Sequence, residues 1–440
     1  MSLDPAVRKL APIAPRFDTL ADWLAWQEAL HVREIDLGLE RCRSVAQRMG
    51  LENPAYPVIS VAGTNGKGSS VAGLTAILRA AGYRVGTYSS PHLLRYNERV
   101  RIDGQEASDE ALCEAFSAID QARGDISLTY FEFGTLAAFK LFSEAELDIA
   151  VLEVGLGGRL DAVNLLDADV ALVTAIGIDH EEWLGSDRET IAREKAGILR
   201  AGKPAVCSDP EAPQSLVATA TAIGAPLLRL GQDFNYRIDG DTWTWLGPER
   251  YYEGLPHPGL HGAYQFQNAA GVLMALDLLH DRYPVSFAAI ASGLSDLNLP
   301  GRFQVLEGPV NWILDVAHNP HAAVRLADTL SRWPCAGRTI GLLGMLRDKD
   351  VGGVLKELAP VVDVWHFASV LGRRGGTSEQ LLDAWQALGY TKPVTCHASV
   401  SAAYEAVRLE AQAGDRIVAM GSFLTVGEVS RLLAQEPAHP

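Results

Sequence analysis

The chain has 440 residues, 48% of them apolar, and a formal net charge of −16. Single cores stop growing near ~250–300 residues, so this length implies two or three domains. The acidic balance excludes the basic footprint of a nucleic-acid binder, while leaving room for a local electropositive phosphate site.

The five cysteines, Cys42, Cys113, Cys207, Cys335 and Cys396, are scattered and form no Cys-x-x-Cys pair. They suggest neither a disulfide framework nor a zinc site, and read as free thiols of a reducing cytosol. Met1 to Phe17 lacks the apolar stretch of a signal peptide. No apolar run reaches the ~18 residues of a membrane span. A cytoplasmic location is expected.

Along the chain, Val58–Ala62 reads as a buried strand, followed by a glycine-rich turn and a helix through Val71–Ala81. Tyr83–Ser89, Asp148–Val154 and Val170–Ile178 are further strands, apolar nearly throughout, as in parallel sheets covered on both faces. Alternation with helices implies right-handed βαβ units. The character changes at Pro226–Leu260. There Phe234–Ile238, an Asp239-Gly240-Asp241 turn and Thr242–Leu246 predict a hairpin to which no role attaches. A helical pattern runs from Asn268 to about His280, and Ser295–Gly301 is the linker candidate. The alternation restarts with Val310–Val316, Thr339–Leu343, Val361–Ala368 and Arg416–Met420, a second and smaller α/β domain.

The strongest chemical signal is Gly63-Thr64-Asn65-Gly66-Lys67-Gly68-Ser69 after the first strand. Backbone amides in such a turn, with the helix dipole behind them, cradle polyphosphate, and Lys67 reaches the β- and γ-phosphates. The run departs from the usual phosphate loop. Val61 stands where a glycine is expected, and Gly68 replaces the metal-holding Ser or Thr after the lysine. Other residues must then hold Mg²⁺, which needs only one or two carboxylates beside its waters. Three segments lie at strand ends, where ligands bind in open α/β sheets: Ser89-Ser90-Pro91-His92, Glu153 before a Gly-rich run, and Asp179-His180. Read alone, Ser90 is as much a turn residue as a ligand, and His180 as much a capped loop histidine. Glu153 inside an apolar strand is harder to explain without a partner or a metal.

Taken together these motifs resemble the bifunctional dihydrofolate synthase/folylpolyglutamate synthases of Gram-negative bacteria, within the Mur-ligase-like superfamily, from about Thr19 to about Leu433. The Gly63–Ser69 loop is similar to the family's ATP loop, departures included. Ser90-Pro-His-Leu93 resembles the segment whose serine binds Mg²⁺. Glu153-Val-Gly-Leu-Gly-Gly-Arg-Leu-Asp-Ala-Val-Asn164 resembles the signature that carries a second metal ligand, with Leu160, Asp161 and Ala162 as substrate contacts. His180 is the third ligand by the same matching. Thr129, Tyr130, Phe131 and Glu132, with Phe133 following, look like the pterin-substrate segment. Arg193-Glu-Lys195-Ala-Gly-Ile198 is similar to the segment with a carbamylated lysine, so that Lys195 helps hold a second Mg²⁺. On its own, Lys195 reads as a surface helix lysine. Asn268, Arg302 and Asp315 are implied ATP contacts, and His318 stands near incoming glutamate. On bland readings Arg302 is a linker charge and Asp315 a helix cap.

The resemblance implies a fold in which residues 1–298 form an ATP-binding, P-loop-type, mostly parallel sheet domain with flanking helices. Residues 299–440 then form a smaller, Rossmann-like glutamate-ligase domain. It implies an ATP-dependent ligase, with Lys67, His180, Lys195 and His318 as catalytic residues. The cofactors implied are ATP and Mg²⁺, two ions, with a monovalent cation besides. The substrates implied are dihydropteroate, tetrahydrofolate forms and L-glutamate, on a monomer. A Mur-type ligase of a cell-wall precursor shares the architecture and is the alternative. A GTPase switch would need an Asn-Lys-x-Asp segment, which is absent. A module without chemistry leaves Glu153 unexplained.

Overall fold

The computed structural model describes residues 15–435. Most of the Met1–Phe17 stretch read above for a leader lies outside them. Among the described residues no helix is long and apolar enough to cross a membrane.

The larger sheet has eight strands. Its centre is Val58–Ala62, flanked in parallel by Ile149–Glu153 and Val170–Val173. Val85–Tyr88 extends the parallel set on one side, and Ala205–Cys207 then Leu227–Arg229 on the other. An antiparallel pair, Val100–Ile102 and Gln105–Glu106, closes one edge. The three inner strands are buried at every position, as their unbroken apolar runs predict. The chain leaves the central strand toward one side and returns to the other, which opens a crevice beyond its C-terminal end.

Two cores cover this sheet. One face packs aromatic residues, among them Trp23, Phe116 and Phe133, beneath the helices Leu20–Leu30, Asp109–Arg123 and Tyr130–Glu144. The other carries Lys67–Ala80 and Tyr264–Asp277. From Gln265 to Leu276 every residue of the latter helix is buried, because a second layer lies over it. That layer is the predicted hairpin with a third strand added: Asn235–Asp239, Thr242–Leu246 and Tyr251–Pro256. Trp243 and Trp245 point inward, and the Trp245 indole donates to the Ala270 carbonyl at 3.1 Å. The role missing from the sequence reading is thus to roof a helix that has no solvent face. Burying each such side chain contributes on the order of 2 kcal/mol.

The second sheet has six strands in the order Gln304–Leu306, Asn311–Asp315, Arg416–Met420, Thr339–Leu343, Val364–Ala368, Val394–His397. Only the first pair is antiparallel. The α/β class with a smaller second sheet is as expected.

Several boundaries move. The Val170–Ile178 run stops being strand at Val173, since the backbone beyond it turns to meet the phosphate loop. Thr64 and Asn65 donate to the Ala175 carbonyl, and the Ile176 amide is taken by Asp209 at 2.8 Å. The helix expected over Asn268–His280 starts at Tyr264 and ends at Asp277.

Candidate active site

The site begins with the loop after the central strand. Gly66 sits at φ +97° and directly precedes the helix Lys67–Ala80. A side chain there would bring its Cβ within 2.5 Å of Asn268 Oδ1, so only glycine fits. Gly66 caps the helix without a side-chain hydrogen bond. The first-turn amides therefore stay open toward an anion. Lys67 is folded back over the loop, its Nζ donating to the carbonyls of Gly63 at 3.0 Å and Thr64 at 3.2 Å. Thr64 Oγ1 accepts from the Gly177 amide and donates to its carbonyl, tying the loop to the segment that follows the neighbouring strand.

The strand ends supply the next groups. Glu153 is buried, and its carboxylate accepts from the Ser90 amide at 3.3 Å. Burial pushes the Glu153 carboxyl up, against the opposing charges of Lys67 and Arg302. Burial likewise lowers Lys67 and takes Lys195 down to about 7, with the Lys67 charge adding to the effect. Lys195 is at the end of the helix Arg188–Lys195 and donates to the same Gly63 carbonyl at 2.8 Å. It is not a surface lysine. His180 has left-handed backbone at φ +53°, and burial holds its imidazole down to about 4. At neutral pH it is an unprotonated ring.

The second sheet faces this crevice with its own strand ends. Asp315 closes Asn311–Asp315, buried, with both carboxylate oxygens accepting backbone amides, from Phe303 and Ala317, each at 2.8 Å. It is a strand-end turn organiser rather than a helix cap. The helix cap is Asn319, whose side chain accepts from the Ala322 amide. Arg302 lies over the Phe423 ring at 5.0 Å, with its guanidinium toward Gly68. His318 donates through Nδ1 to the Val316 carbonyl and turns Nε2 toward Asp179 at 3.3 Å.

One cleft is lined by the loop Gly63–Ser69, Ser90, Glu153, His180, Lys195, Asn268, Arg302, Asp315 and His318. The sequence-predicted nucleotide, metal and catalytic residues come together. The predicted substrate residues do not line this cleft. Thr129 and Glu132 cap a helix reciprocally: the Thr129 amide donates to Glu132 at 2.8 Å, and Thr129 Oγ1 accepts from the Glu132 amide. Arg41 holds the other Glu132 oxygen at 3.1 Å. Tyr130 stacks edge-on to Tyr96 and lies near the Arg99 guanidinium. Phe133 is core, packed on Trp23 and Phe116. Phe131 is the link to the cleft, since it packs against Gly155, a lining residue. Leu160 is half-buried beside the same run. Asp161 caps the turn Ala162–Leu165, accepting from the Val163 and Leu156 amides. Burial raises it to about 6.

Sequence reasoning missed three groups. Lys349 crosses from the second sheet, donating to Asp179 at 2.6 Å and standing 3.4 Å from His180 Nε2. Asn319 donates to Asp179 at 2.9 Å and exchanges hydrogen bonds with Asn65 of the phosphate loop. Gln265 accepts from Asn268 Nδ2 at 2.9 Å, which turns Asn268 Oδ1 toward Gly66. Asp348-Lys349-Asp350 after a strand was a visible signal for the first. The pairing of Asn65 and Asn319 across 254 positions had none.

A divalent ion is implied by the resemblance, and the donor set can be tested for it. Among the described residues no group of three or more His, Cys, Asp or Glu could hold a metal. Ser90 and Glu153 nevertheless fit an ion that keeps waters and phosphate oxygens, because a buried carboxylate beside a hydroxyl residue is a hard-cation donor pair. His180 and Lys195 line the same cleft.

Two family models match: the Mur ligase middle domain over residues 61–233 and the Mur ligase glutamate ligase domain over 301–423. The chain is 48% identical to the dihydrofolate synthase/folylpolyglutamate synthase of Escherichia coli K12, over 94% of this chain and 95% of that protein. It is 40% identical to the Haemophilus influenzae protein of the same name, over 93% and 96%. The structure of E. coli FolC in complex with DHPP and ADP superposes with a TM-score of 0.90 at 48% identity, covering 95% of this chain and 98% of that one. A Yersinia pestis bifunctional folylpolyglutamate synthase/dihydrofolate synthase complexed with AMPPNP and Mn ion gives 0.88 at 46%, covering 97% and 100%. These relatives carry the folate name, and the cell-wall alternative is not favoured. The chain belongs to the dihydrofolate synthase/folylpolyglutamate synthase family of Mur-type, carbon–nitrogen bond-forming ligases.

Proposed function

We propose that this protein joins L-glutamate to dihydropteroate and to tetrahydrofolate forms, with ATP converted to ADP and phosphate. The observation that carries the reading is the convergence of Lys67, Glu153 with Ser90, and Asp179 with His180 on the strand ends of one sheet, opposite Arg302, Asp315 and His318 of the other.

A carboxylate oxygen is a poor leaving group, so it must be activated. The acceptor carboxylate attacks the γ-phosphorus, the bond from phosphorus to the β-phosphate oxygen breaks, and ADP leaves with the electron pair. The glutamate amine then attacks the acyl carbon, the carbon–oxygen bond to phosphate breaks, and the amine gives up its proton. Bringing two anions together needs fixed positive charge, which Lys67 and Arg302 supply from opposite walls. Asn268 and Asp315 hold the nucleotide's remaining polar groups. His318 stands where the incoming glutamate enters. Thr129–Glu132 and Leu160–Ala162 border the pterin end of the acceptor, with Phe131 as the ring that packs against it. The acyl phosphate hydrolyses in water, so the two walls close over it.

Divalent ions, when bound by Ser90, Glu153, His180 and the carbamate of Lys195, supply charge neutralisation at the phosphates. The reading includes two Mg²⁺ ions, a monovalent cation, a monomer in the cytoplasm, and a boundary between residues 298 and 299. It is tested by incubating the protein with dihydropteroate or tetrahydrofolate, glutamate and ATP. ADP and phosphate should appear in step with a product one glutamyl mass heavier. AMP and pyrophosphate, or no glutamyl transfer to either acceptor, would overturn it.

A further inference from the structure

Repeated glutamate addition changes the acceptor's charge. Each added residue consumes one carboxylate and brings two, so whichever carboxylate is joined the acceptor gains one negative charge per turnover. Dihydropteroate carries one carboxylate, and a folate with three glutamates carries four. A chain of net charge −16 repels such a tail unless cations wait where it lies.

The loops after Thr339–Leu343 and Val364–Ala368, neighbouring parallel strands, supply them. The loops are joined by backbone hydrogen bonds, Arg347 to the Arg374 carbonyl and Gly376 to the Met345 carbonyl, each at 3.0 Å. A side chain at Gly375 would overlap the Val370 carbonyl, so this is a tightly built turn. It presents Arg347, Arg373 and Arg374. Arg347 and Arg373 are exposed, and among the described residues neither stands in an ion pair. Arg374 holds Asp348 at 2.9 Å but meets Glu34 only at 3.6 Å, beyond hydrogen-bonding distance.

Position makes these arginines informative. At one end, Lys349 of the same loop reaches Asp179 and His180 in the cleft. At the other, Glu34 belongs to the turn containing Asp36, which Arg41 binds together with Glu132 beside Phe131. The loops carrying these arginines therefore reach the transfer centre through Lys349 and the pterin-proximal side through Arg374 and Glu34, the two ends between which the inner carboxylates of a lengthening tail would lie. We propose that Arg347, Arg373 and Arg374 form a binding site for the free carboxylates of an oligoglutamyl tail on the acceptor. The proposal rests on the folate-ligase reading and specifies which acceptors this rim favours.

The test uses the full chain and three acceptors: dihydropteroate, tetrahydrofolate monoglutamate and tetrahydrofolate triglutamate. In the R347Q/R373Q variant, kcat/KM for dihydropteroate should stay within about 2-fold. It should fall about 3-fold for the monoglutamate and about 10-fold for the triglutamate, the scale of exposed ion pairs. The KM for L-glutamate should not move, which separates the rim from the site of the incoming amino acid. In the unmodified protein, KM for the triglutamate should rise with salt more steeply than for dihydropteroate. This second measurement needs no variant. Equal salt slopes, or equal effects of R347Q/R373Q on all three acceptors, would overturn the tail site alone. An unmodified protein that ligates none of the three would overturn the folate-ligase reading itself.

Discussion

Lys349 and Asp179 meet at 2.6 Å across the cleft, with side chains only 5% and 9% exposed. His318 and Asn319 converge on the same carboxylate. Burial would raise Asp179, but the His318 hydrogen bond and the charges of His318 and Lys349 hold it far below the usual carboxylate range. One carboxylate of the larger sheet is thus gripped by three side chains of the smaller one. Lys349→Met leaves a buried charge short of its partner and should cost about 3 kcal/mol in urea unfolding. A midpoint shift worth less than ~1 kcal/mol would show that the pair does not hold the two sheets together.

Lys67→Ala should lower kcat by about 10²-fold while leaving the circular dichroism spectrum unchanged, on the scale of removing one preorganised donor. The helix it opens is held by the buried residues Val71, Leu74, Ile77 and Leu78, not by the lysine. A near-normal rate would dissociate this loop from phosphoryl transfer.

Gln265 fixes Asn268 through one hydrogen bond, and its own Nε2 has no partner. Gln265→Leu should free the Asn268 rotamer and raise KM for ATP about 5-fold, the worth of one net hydrogen bond near 1 kcal/mol. The KM for glutamate should be unaffected. Equal rises in both would point to general loosening of the helix instead.

Carbamylation of Lys195 requires the neutral amine, and burial has brought its pKa down to about 7. The fraction of carbamate, followed by ¹³C NMR with labelled bicarbonate, should climb from pH 6 to pH 8. Stability moves in the same direction. A folded-state value below the ~10.4 of a free lysine means that the folded chain binds fewer protons between about 7 and ~10.4. This lysine's penalty is therefore full below pH 7 and fades as pH rises through that window. A carbamate signal independent of pH, or lost equally in Lys203→Ala, would remove Lys195 from this role.

Phe131 packs on Gly155 at the cleft's edge. Dihydropteroate and a glutamylated folate put their reacting carboxylates at different distances from the pterin, so one fixed ring pocket cannot serve both. Phe131→Ala should reduce kcat/KM for dihydropteroate about 10-fold, a burial loss near 1.5 kcal/mol, and for tetrahydrofolate by less. Identical losses would indicate a shared pocket.

How much of this was legible depended on the range of the signal. The phosphate loop, Glu153 and Asp179-His180 were readable because each is a short run whose chemistry contradicts its apolar surroundings. The existence of the strands about Val58–Ala62 followed from apolar runs, while their order in the sheet came only with the structure. Thr129 and Glu132 were singled out by resemblance, and the structure adds a local role that their spacing also encodes: together they form a helix capping box. Lys195 read alone as a surface lysine, because nothing nearby in sequence reports the Gly63 carbonyl that receives it. The Asn65–Asn319 exchange was invisible for the same reason, since two distant amides carry no periodicity.

The antiparallel layer over Tyr264–Asp277 bears on where this protein can be cut. The match to the Mur ligase middle domain ends at residue 233, just before that layer begins. Yet Ile59, Val61, Val151 and Leu172, on one face of the large sheet, share a core with Trp243, Trp245 and Phe266. A fragment ending at residue 233 would keep the Gly63–Ser69 loop and the helix Lys67–Ala80, and lose Trp243, Trp245 and the helix Tyr264–Asp277 from the same face of the sheet. The stretch matched by the Mur ligase middle domain is therefore shorter than the unit that keeps this face of the sheet covered, and Asn268 belongs to the part that would be lost.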